Sequence, residues 1–193
     1  MMLPEKLTEN TNGYFSLKTA AEFGITRWQL QELLRNGEIQ KVSYGLYALK
    51  NVIPDELFIT QLLSPRAIFS HESALFFNGY SDQVPFRYTI SVPHGYISKN
   101  LSEQYDVRHV AKESAEEGIK IIKSELGNDL RVYSIERTLC ELLHKPSDLD
   151  KERFIPAIQK YLRSKNKDIL ILMHFAKMFR VEKRLLPYLE AIQ

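Results

Sequence analysis

Two arginines and a glutamine near the N-terminus have types and spacing suited to reading the edges of DNA bases. Arg27, Gln31 and Arg35 recur every four residues, so in a helix they share one face. Arginine can donate two hydrogen bonds to guanine, and glutamine can form a similar two-bond pair with adenine. The pattern predicts a recognition helix that enters the major groove of double-stranded DNA.

The same segment also predicts where this helix begins. Thr26 and Gln29 have the spacing of a capping box, and Ile25 and Leu30 have the spacing of a hydrophobic staple. Both signals place the first turn directly after Thr26, and the unpaired N–H groups there suit a phosphate. The arginine-bearing face would lie opposite a buried stripe formed by Leu30, Leu33 and Leu34.

A second helix is expected just before the first. Residues 17–23 form a short amphipathic run between a capping serine, Ser16, and a helix-ending glycine, Gly24. The two helices would therefore flank the tight, glycine-containing connection of a helix-turn-helix. Trp28 is expected to be partly buried against the earlier helix, and another short helix is expected over residues 4–10.

A hairpin is predicted after the recognition helix. The hydrophobic period changes from 3.6 to 2 after Gly37, over residues 38–49. Its side chains Lys41, Ser43 and Tyr44 would contact the DNA backbone or the minor groove. We interpret residues 1–52 as a winged helix-turn-helix domain whose DNA contacts are Thr26, Arg27, Gln31, Arg35, Lys41, Ser43 and Tyr44. The alternative is a winged helix used for protein contacts, in which the arginines only increase solubility.

Residues 53–193 predict a second domain, because turn residues and a proline over 51–55 mark a boundary. Helical and strand patterns alternate there before a helical tail, so the expected class is α+β with a mixed α/β second domain. Ser70 and Ser134 are expected helix caps. Helices are predicted over 56–63, 71–78, 135–144, 150–163, 167–179 and 181–192, and strands over 67–69, 88–92, 105–110, 119–122 and 130–133.

The chain lacks the common catalytic motifs. It has no G-x-G, no Walker A loop, no H-E-x-x-H, no G-x-S-x-G and no E-x-K. The pair His71-Glu72 is interpreted as a cap or a surface pair, and the single cysteine, Cys140, as a buried inert thiol. We therefore expect a protein that is not an enzyme and needs neither a cofactor nor a metal.

Composition is that of a globular protein. The 193 residues are 44% hydrophobic and 26% charged, with one cysteine, so intramolecular disulfides are excluded and a reducing compartment fits. No secretory signal is apparent at the N-terminus, and no apolar run is long enough to span a bilayer. The expected location is the cytoplasm, without a membrane partner.

Charge is concentrated at the C-terminal end. Residues 151–193 hold 10 basic and 4 acidic residues, net +6, whereas the whole chain is +2. We hypothesise that some of these cations add contacts to the DNA backbone; a solvated helix face or a patch for an acidic partner are the alternatives. The candidates are Arg153, Lys160, Arg163, Lys165, Lys167, Lys177, Arg180, Lys183 and Arg184.

Several of these segments together resemble the AbiEi antitoxins of type IV abortive-infection toxin–antitoxin systems. In the N-terminal part the similarity lies in Gly24-Ile25-Thr26 and in the run from Arg35 to Tyr47. In the second part it lies in residues 67–75, Asn78-Gly79-Tyr80, Asp82-Gln83, residues 88–93 and 132–139. The wing pattern is shared by many winged-helix proteins, but its combination with residues 70–80 in one chain is more specific.

The resemblance implies a phage-defence antitoxin that represses its own operon by binding inverted repeats. It also implies neutralisation of a nucleotidyltransferase-like AbiEii toxin, with or without direct contact. Inverted repeats would place two copies of a monomer or weak dimer on the DNA. Two alternatives stay open: a plain transcriptional regulator whose C-terminal domain senses a ligand or dimerises, and a DNA-targeted nuclease.

Overall fold

The computed structural model describes residues 7, 12–97 and 101–191. The chain is of the α+β class, as the sequence predicts, and forms two compact units. The first comprises residues 1–63 together with Ser124–Asn128, and the second comprises residues 64–123 and 129–193.

From residue 12 onwards, the first unit combines three α-helices with a three-stranded sheet. Strand β1 precedes the predicted helix pair and is antiparallel to β3, which also pairs with β2, so the sheet order is β1-β3-β2. The sequence did not predict β1. The elements are β1 (Tyr14–Ser16), α1 (Leu17–Glu22), α2 (Arg27–Arg35), β2 (Ile39–Ser43), β3 (Leu46–Leu49) and α3 (Glu56–Leu63).

Local capping explains why α1 begins where it does. The Ser16 hydroxyl accepts a hydrogen bond from the Thr19 amide at 3.0 Å, which confirms the predicted N-cap. Gly24, after the helix, has a φ of +75°, a left-handed conformation that glycine adopts without a steric penalty. The predicted helix over residues 4–10 lies outside the described residues apart from Leu7, which is buried in the core of this unit.

The first unit extends to Leu63, past the boundary predicted at residue 52. The Tyr14 hydroxyl donates to the Ile53 carbonyl at 3.1 Å and accepts from the Asp55 amide at 2.9 Å. The Tyr14 ring also packs edge-on against Phe58 of α3. These contacts attach the proline-containing segment and the following helix to β1.

The second unit has a five-stranded mixed sheet with the order β6-β5-β4-β8-β7. Pairs β4–β8 and β5–β6 are parallel, whereas β4–β5 and β7–β8 are antiparallel. Its elements are β4 (Ile68–Phe69), α4 (His71–Phe77), β5 (Thr89–Pro93), α5 (Leu101–Gln104), β6 (Asp106–Val110), β7 (Ile119–Lys123), β8 (Asp129–Tyr133), α6 (Ile135–His144), α7 (Lys151–Arg163), α8 (Ile169–Phe179) and α9 (Glu182–Glu190). The predicted strands and helices are all present, and α5 is an addition.

Helix α6 occupies the centre of the second unit. It is buried along most of its length and contacts α4, α7, α8 and α9. The predicted stripe of α7 is confirmed as core: Phe154, Ile158, Tyr161 and Leu162 are all buried. Cys140 is a buried free thiol, as expected.

One predicted cap differs from the structure. Ser70 precedes α4, but its hydroxyl makes no hydrogen bond to the first turn. It accepts a hydrogen bond from the Ser91 hydroxyl at 2.9 Å instead. His71, the first helical residue, has a φ of +52°, and this left-handed start replaces ordinary capping geometry.

Candidate nucleic-acid interface

The start of α2 is fixed by the predicted capping box. The Thr26 hydroxyl accepts from the Gln29 amide at 3.2 Å, and the Gln29 side-chain oxygen accepts from the Thr26 amide at 2.8 Å. Ile25 and Leu30, the predicted staple, are both buried in the same hydrophobic core. The orientation of the first turn is therefore determined by residues within a single short segment.

The arginine-bearing face of α2 is exposed to solvent. Arg27, Gln31 and Arg35 are all exposed, whereas Leu30 and Leu33 are each only 2% exposed. The predicted stripe is thus confirmed, with Leu34 half-buried at its edge. Two guanidinium groups and one amide are available for hydrogen bonds with an external partner.

The predicted hairpin is present as β2 and β3. Its turn is short, because Ser43 pairs directly with Leu46, and Gly45 in the turn has a φ of +70°. Tyr44 at the tip is 91% exposed, and the Lys41 amine lies 5.8 Å from the centre of its ring. An aromatic ring and a cation are therefore presented together, with the half-buried Ser43 beside them.

The hairpin turn is attached to the start of α1. The Leu17 amide donates to the Gly45 carbonyl at 2.9 Å, and Ser16 of β1 pairs with Leu46 of β3. The tip that carries Tyr44 is therefore held by backbone hydrogen bonds from a neighbouring strand and helix.

Acidic residues are close in sequence to Arg27 and Arg35. Glu32 is exposed on α2 and Glu38 is exposed directly before β2, and the Asn36 amide donates to the Glu38 carboxylate at 3.4 Å. The local positive charge of Arg27 and Arg35 is therefore modest. Specific hydrogen bonds to bases would have to contribute more than a general attraction to phosphates.

The expected burial of Trp28 was wrong. Its side chain is 64% exposed and does not have the partly buried position that was expected. The spacing in the sequence could have predicted this exposure. Trp28 precedes Gln31 by three residues and Arg35 by seven, which places all three on one helical face. An exposed tryptophan beside Arg27 adds a large aromatic contact surface to this face.

Some of the C-terminal cations bind to acceptors within the chain, although most of these are also exposed. Arg153 lies 3.3 Å from the Asp150 carboxylate, and the Lys160 and Lys167 amines donate to the Gly79 and Leu162 carbonyls, each at 2.7 Å. Arg184 donates to two carbonyls at the end of α6. Five further cations are exposed at the surface of the second unit, namely Arg163, Lys165, Lys177, Arg180 and Lys183.

No protein-family model matches the chain, and no curated protein matches it. Among the residues that the structure describes, no helix is long and apolar enough to cross a bilayer. The same residues include no cluster of three or more histidine, cysteine, aspartate or glutamate side chains arranged to bind a metal ion.

Proposed function

We propose that the protein binds double-stranded DNA as a sequence-specific regulator, using α2 and the β2–β3 turn. The observation that carries this proposal is the solvent-facing row of Arg27, Gln31 and Arg35 on a capped helix whose opposite face is buried. Long donors on the N-terminal part of an exposed helix are the means by which helix-turn-helix proteins read base edges.

The order of the elements supports a winged helix-turn-helix. Helix α1, a connection through Gly24, helix α2 and a hairpin follow one another, and β1 completes a small sheet with the hairpin. In this arrangement α2 would occupy the major groove, with Thr26 at a phosphate. The exposed Tyr44 and its neighbour Lys41 would contact the adjacent backbone or minor groove.

The proposal is tested by fluorescence anisotropy with the full chain and a duplex carrying the sequence upstream of its own gene. If Arg27 contacts a base, Arg27→Ala should weaken binding by about 1–3 kcal/mol, which is about 5- to 150-fold. Gln31→Ala and Arg35→Ala should also weaken binding to this duplex. They should have a smaller effect on a duplex of scrambled sequence, because that binding depends mainly on phosphates.

Arg66→Ala is the matched control, because Arg66 is an exposed cation of the second unit and its loss removes the same charge. It should leave the affinity for the upstream duplex unchanged. Unaltered binding in all three α2 variants would contradict the assignment of this face, whatever the affinity of the unmodified protein.

The resemblance to AbiEi antitoxins extends the proposal to a toxin–antitoxin system. In that case the protein would repress its own operon through inverted repeats and neutralise a nucleotidyltransferase-like toxin encoded beside it. Co-expression with the neighbouring gene tests this: rescue of growth supports an antitoxin. Uninhibited growth with the neighbouring gene alone, or no rescue, would favour a plain regulator.

The exposed C-terminal cations would add backbone contacts to the same complex. Each phosphate neutralised steepens the dependence of log K on log salt by about 0.9. The full chain carrying Lys165→Ala and Lys183→Ala should therefore have a shallower salt slope than the unmodified protein. Equal slopes would show that these two lysines do not contact DNA.

A further inference from the structure

The second unit contains a cavity of about 450 Å³ whose lining residues, apart from Arg180, are not among the proposed DNA contacts. Four of the five histidines of the chain line it, namely His71, His94, His109 and His144. The rings of His94 and His109 stack 5.9 Å apart at an angle of 13°. The sequence placed these histidines in separate segments and gave no indication that they converge.

Cationic side chains also line the cavity. Arg108 of β6, Lys145 at the end of α6 and Arg180 at the end of α8 all border it. Glu72 is an opposing charge in the same lining, together with the buried Glu141. Because Glu141 is already paired with a buried arginine, the exposed Lys145 and Arg180 outnumber the one remaining carboxylate of the lining, Glu72, and the cavity favours an anion.

A buried carboxylate in the lining of this cavity has one oxygen without a hydrogen-bond partner among the described residues. Glu141 has a side chain that is 2% exposed, and one of its oxygens accepts from the Arg137 Nε at 3.0 Å. The other oxygen, Oε2, has no hydrogen bond within the described residues, and the His71 Nδ1 lies 3.9 Å from it. A buried acceptor that lacks a donor is costly, so a ligand that supplies an N–H or O–H group would relieve this cost.

Backbone strain is concentrated around the same cavity. Of the three non-glycine residues with a left-handed φ in the described part of the chain, two line it: His71 at +52° and Arg180 at +56°. Such conformations cost free energy and tend to persist at sites where a side chain must be held in place for a ligand. Apolar contact is available from Leu142, Met178 and Phe179.

We propose that this cavity binds a phosphorylated small molecule of nucleotide size. Its phosphate would lie against Arg108, Lys145 and Arg180, since guanidinium and ammonium groups are the usual phosphate partners. Its cyclic part would contact Phe179 and donate a hydrogen bond to Glu141. The cavity volume lies within the range of sites that enclose small ligands.

The test is calorimetric titration of the full chain with AMP, GMP, CMP and UMP, and separately with inorganic phosphate and adenosine. We expect one site per chain for at least one of the four nucleotides, at least tenfold tighter than for phosphate or for adenosine. Arg108→Gln and Arg180→Asn should each weaken binding by tenfold or more. Asparagine is chosen because it tolerates the left-handed conformation at residue 180.

Lys120→Gln is the matched control, because Lys120 is an exposed cation that neither lines the cavity nor belongs to the proposed DNA contacts, and it should leave nucleotide affinity unchanged. Circular dichroism of each variant shows whether the fold is retained. Absence of binding by all four nucleotides at millimolar concentration would overturn the proposal. So would equal affinity for phosphate, or undiminished binding in the Arg108 and Arg180 variants.

Discussion

Replacing Arg137 should destabilise the second unit more than most single substitutions. Its side chain is fully buried, and its Nη1 donates to the Ser114 carbonyl at 2.5 Å and to the Glu117 carbonyl at 2.6 Å. The guanidinium also lies 3.5 Å from the centre of the Tyr133 ring and is paired with Glu141. Arg137→Met therefore leaves a buried carboxylate without its cation and two carbonyls without a donor.

The expected loss follows from these contacts. Breaking a buried ion pair by removing one partner costs about 3–5 kcal/mol, because the remaining group must stay desolvated as a charge or take up a proton. The total stability of a domain is about 5–15 kcal/mol, so this single change should remove a large part of it. Replacing both partners, as Arg137→Met with Glu141→Leu, should recover part of the loss, since no charge is then stranded.

Urea denaturation followed by circular dichroism measures both effects. The midpoints of the unmodified protein, the two single variants and the double variant form a thermodynamic cycle. A loss below about 1 kcal/mol for Arg137→Met, or a double variant no more stable than the single one, would refute this reasoning.

The pairing of Arg137 with Glu141 also predicts how the stability of the protein depends on pH. Burial raises the pKa of Glu141 to about 7, while Arg137 opposes the shift. Between about pH 4.5 and 7 the unfolded state has released this proton and the folded state retains it, so the free energy of unfolding falls as pH rises. The change over this range is at most about 3 kcal/mol, and Glu141→Gln should abolish that part of the pH dependence. Parallel pH profiles for the two proteins would contradict the raised pKa.

Three further predictions concern single sites. Gly118→Ala should lower the free energy of unfolding by about 1–3 kcal/mol more than Gly127→Ala does. Both glycines have a left-handed φ. An added Cβ would lie 2.6 Å from the Phe175 ring at Gly118, whereas it would lie in open space at Gly127. Equal denaturation midpoints would show that the overlap is relieved without cost. Thr26→Ala should destabilise the first unit by about 1 kcal/mol through loss of the helix cap. The loss would be measured as a lower midpoint of thermal unfolding. The Cys140 thiol, whose pKa burial raises to about 12, should react with a disulfide reagent only as fast as the protein opens; prompt native-state labelling would contradict its burial.

Local signals explain what the sequence predicted well. The helix start at Thr26 depends on residues three to five positions apart, so its capping box could be read directly. The exposed arginine face followed from the same helical period. The three-residue strand β1 carries no alternating pattern of its own and exists because it pairs with β3, more than thirty residues away, so local periodicity could not reveal it.

The cavity of the second unit could not be predicted, because its parts are distant in the sequence. His71, His94 and His144 lie on different elements, and only the packing of α4, α6 and the sheet brings them together. The Arg137–Glu141 spacing looks like an ordinary surface pair on a helix. Its burial follows from the central position of α6, which depends on the whole tertiary structure.

The bond between the Leu17 amide and the Gly45 carbonyl has a consequence for how selective DNA binding would be. A free loop loses about 1–2 kcal/mol of backbone entropy for each residue that it orders on binding, whereas this turn is already held by backbone hydrogen bonds in the unbound protein. Tyr44 would therefore contact DNA at a nearly constant distance from α2, and ordering the turn would cost little further entropy. A DNA site whose groove geometry differs from that spacing would bind less tightly, since moving the turn would break these hydrogen bonds.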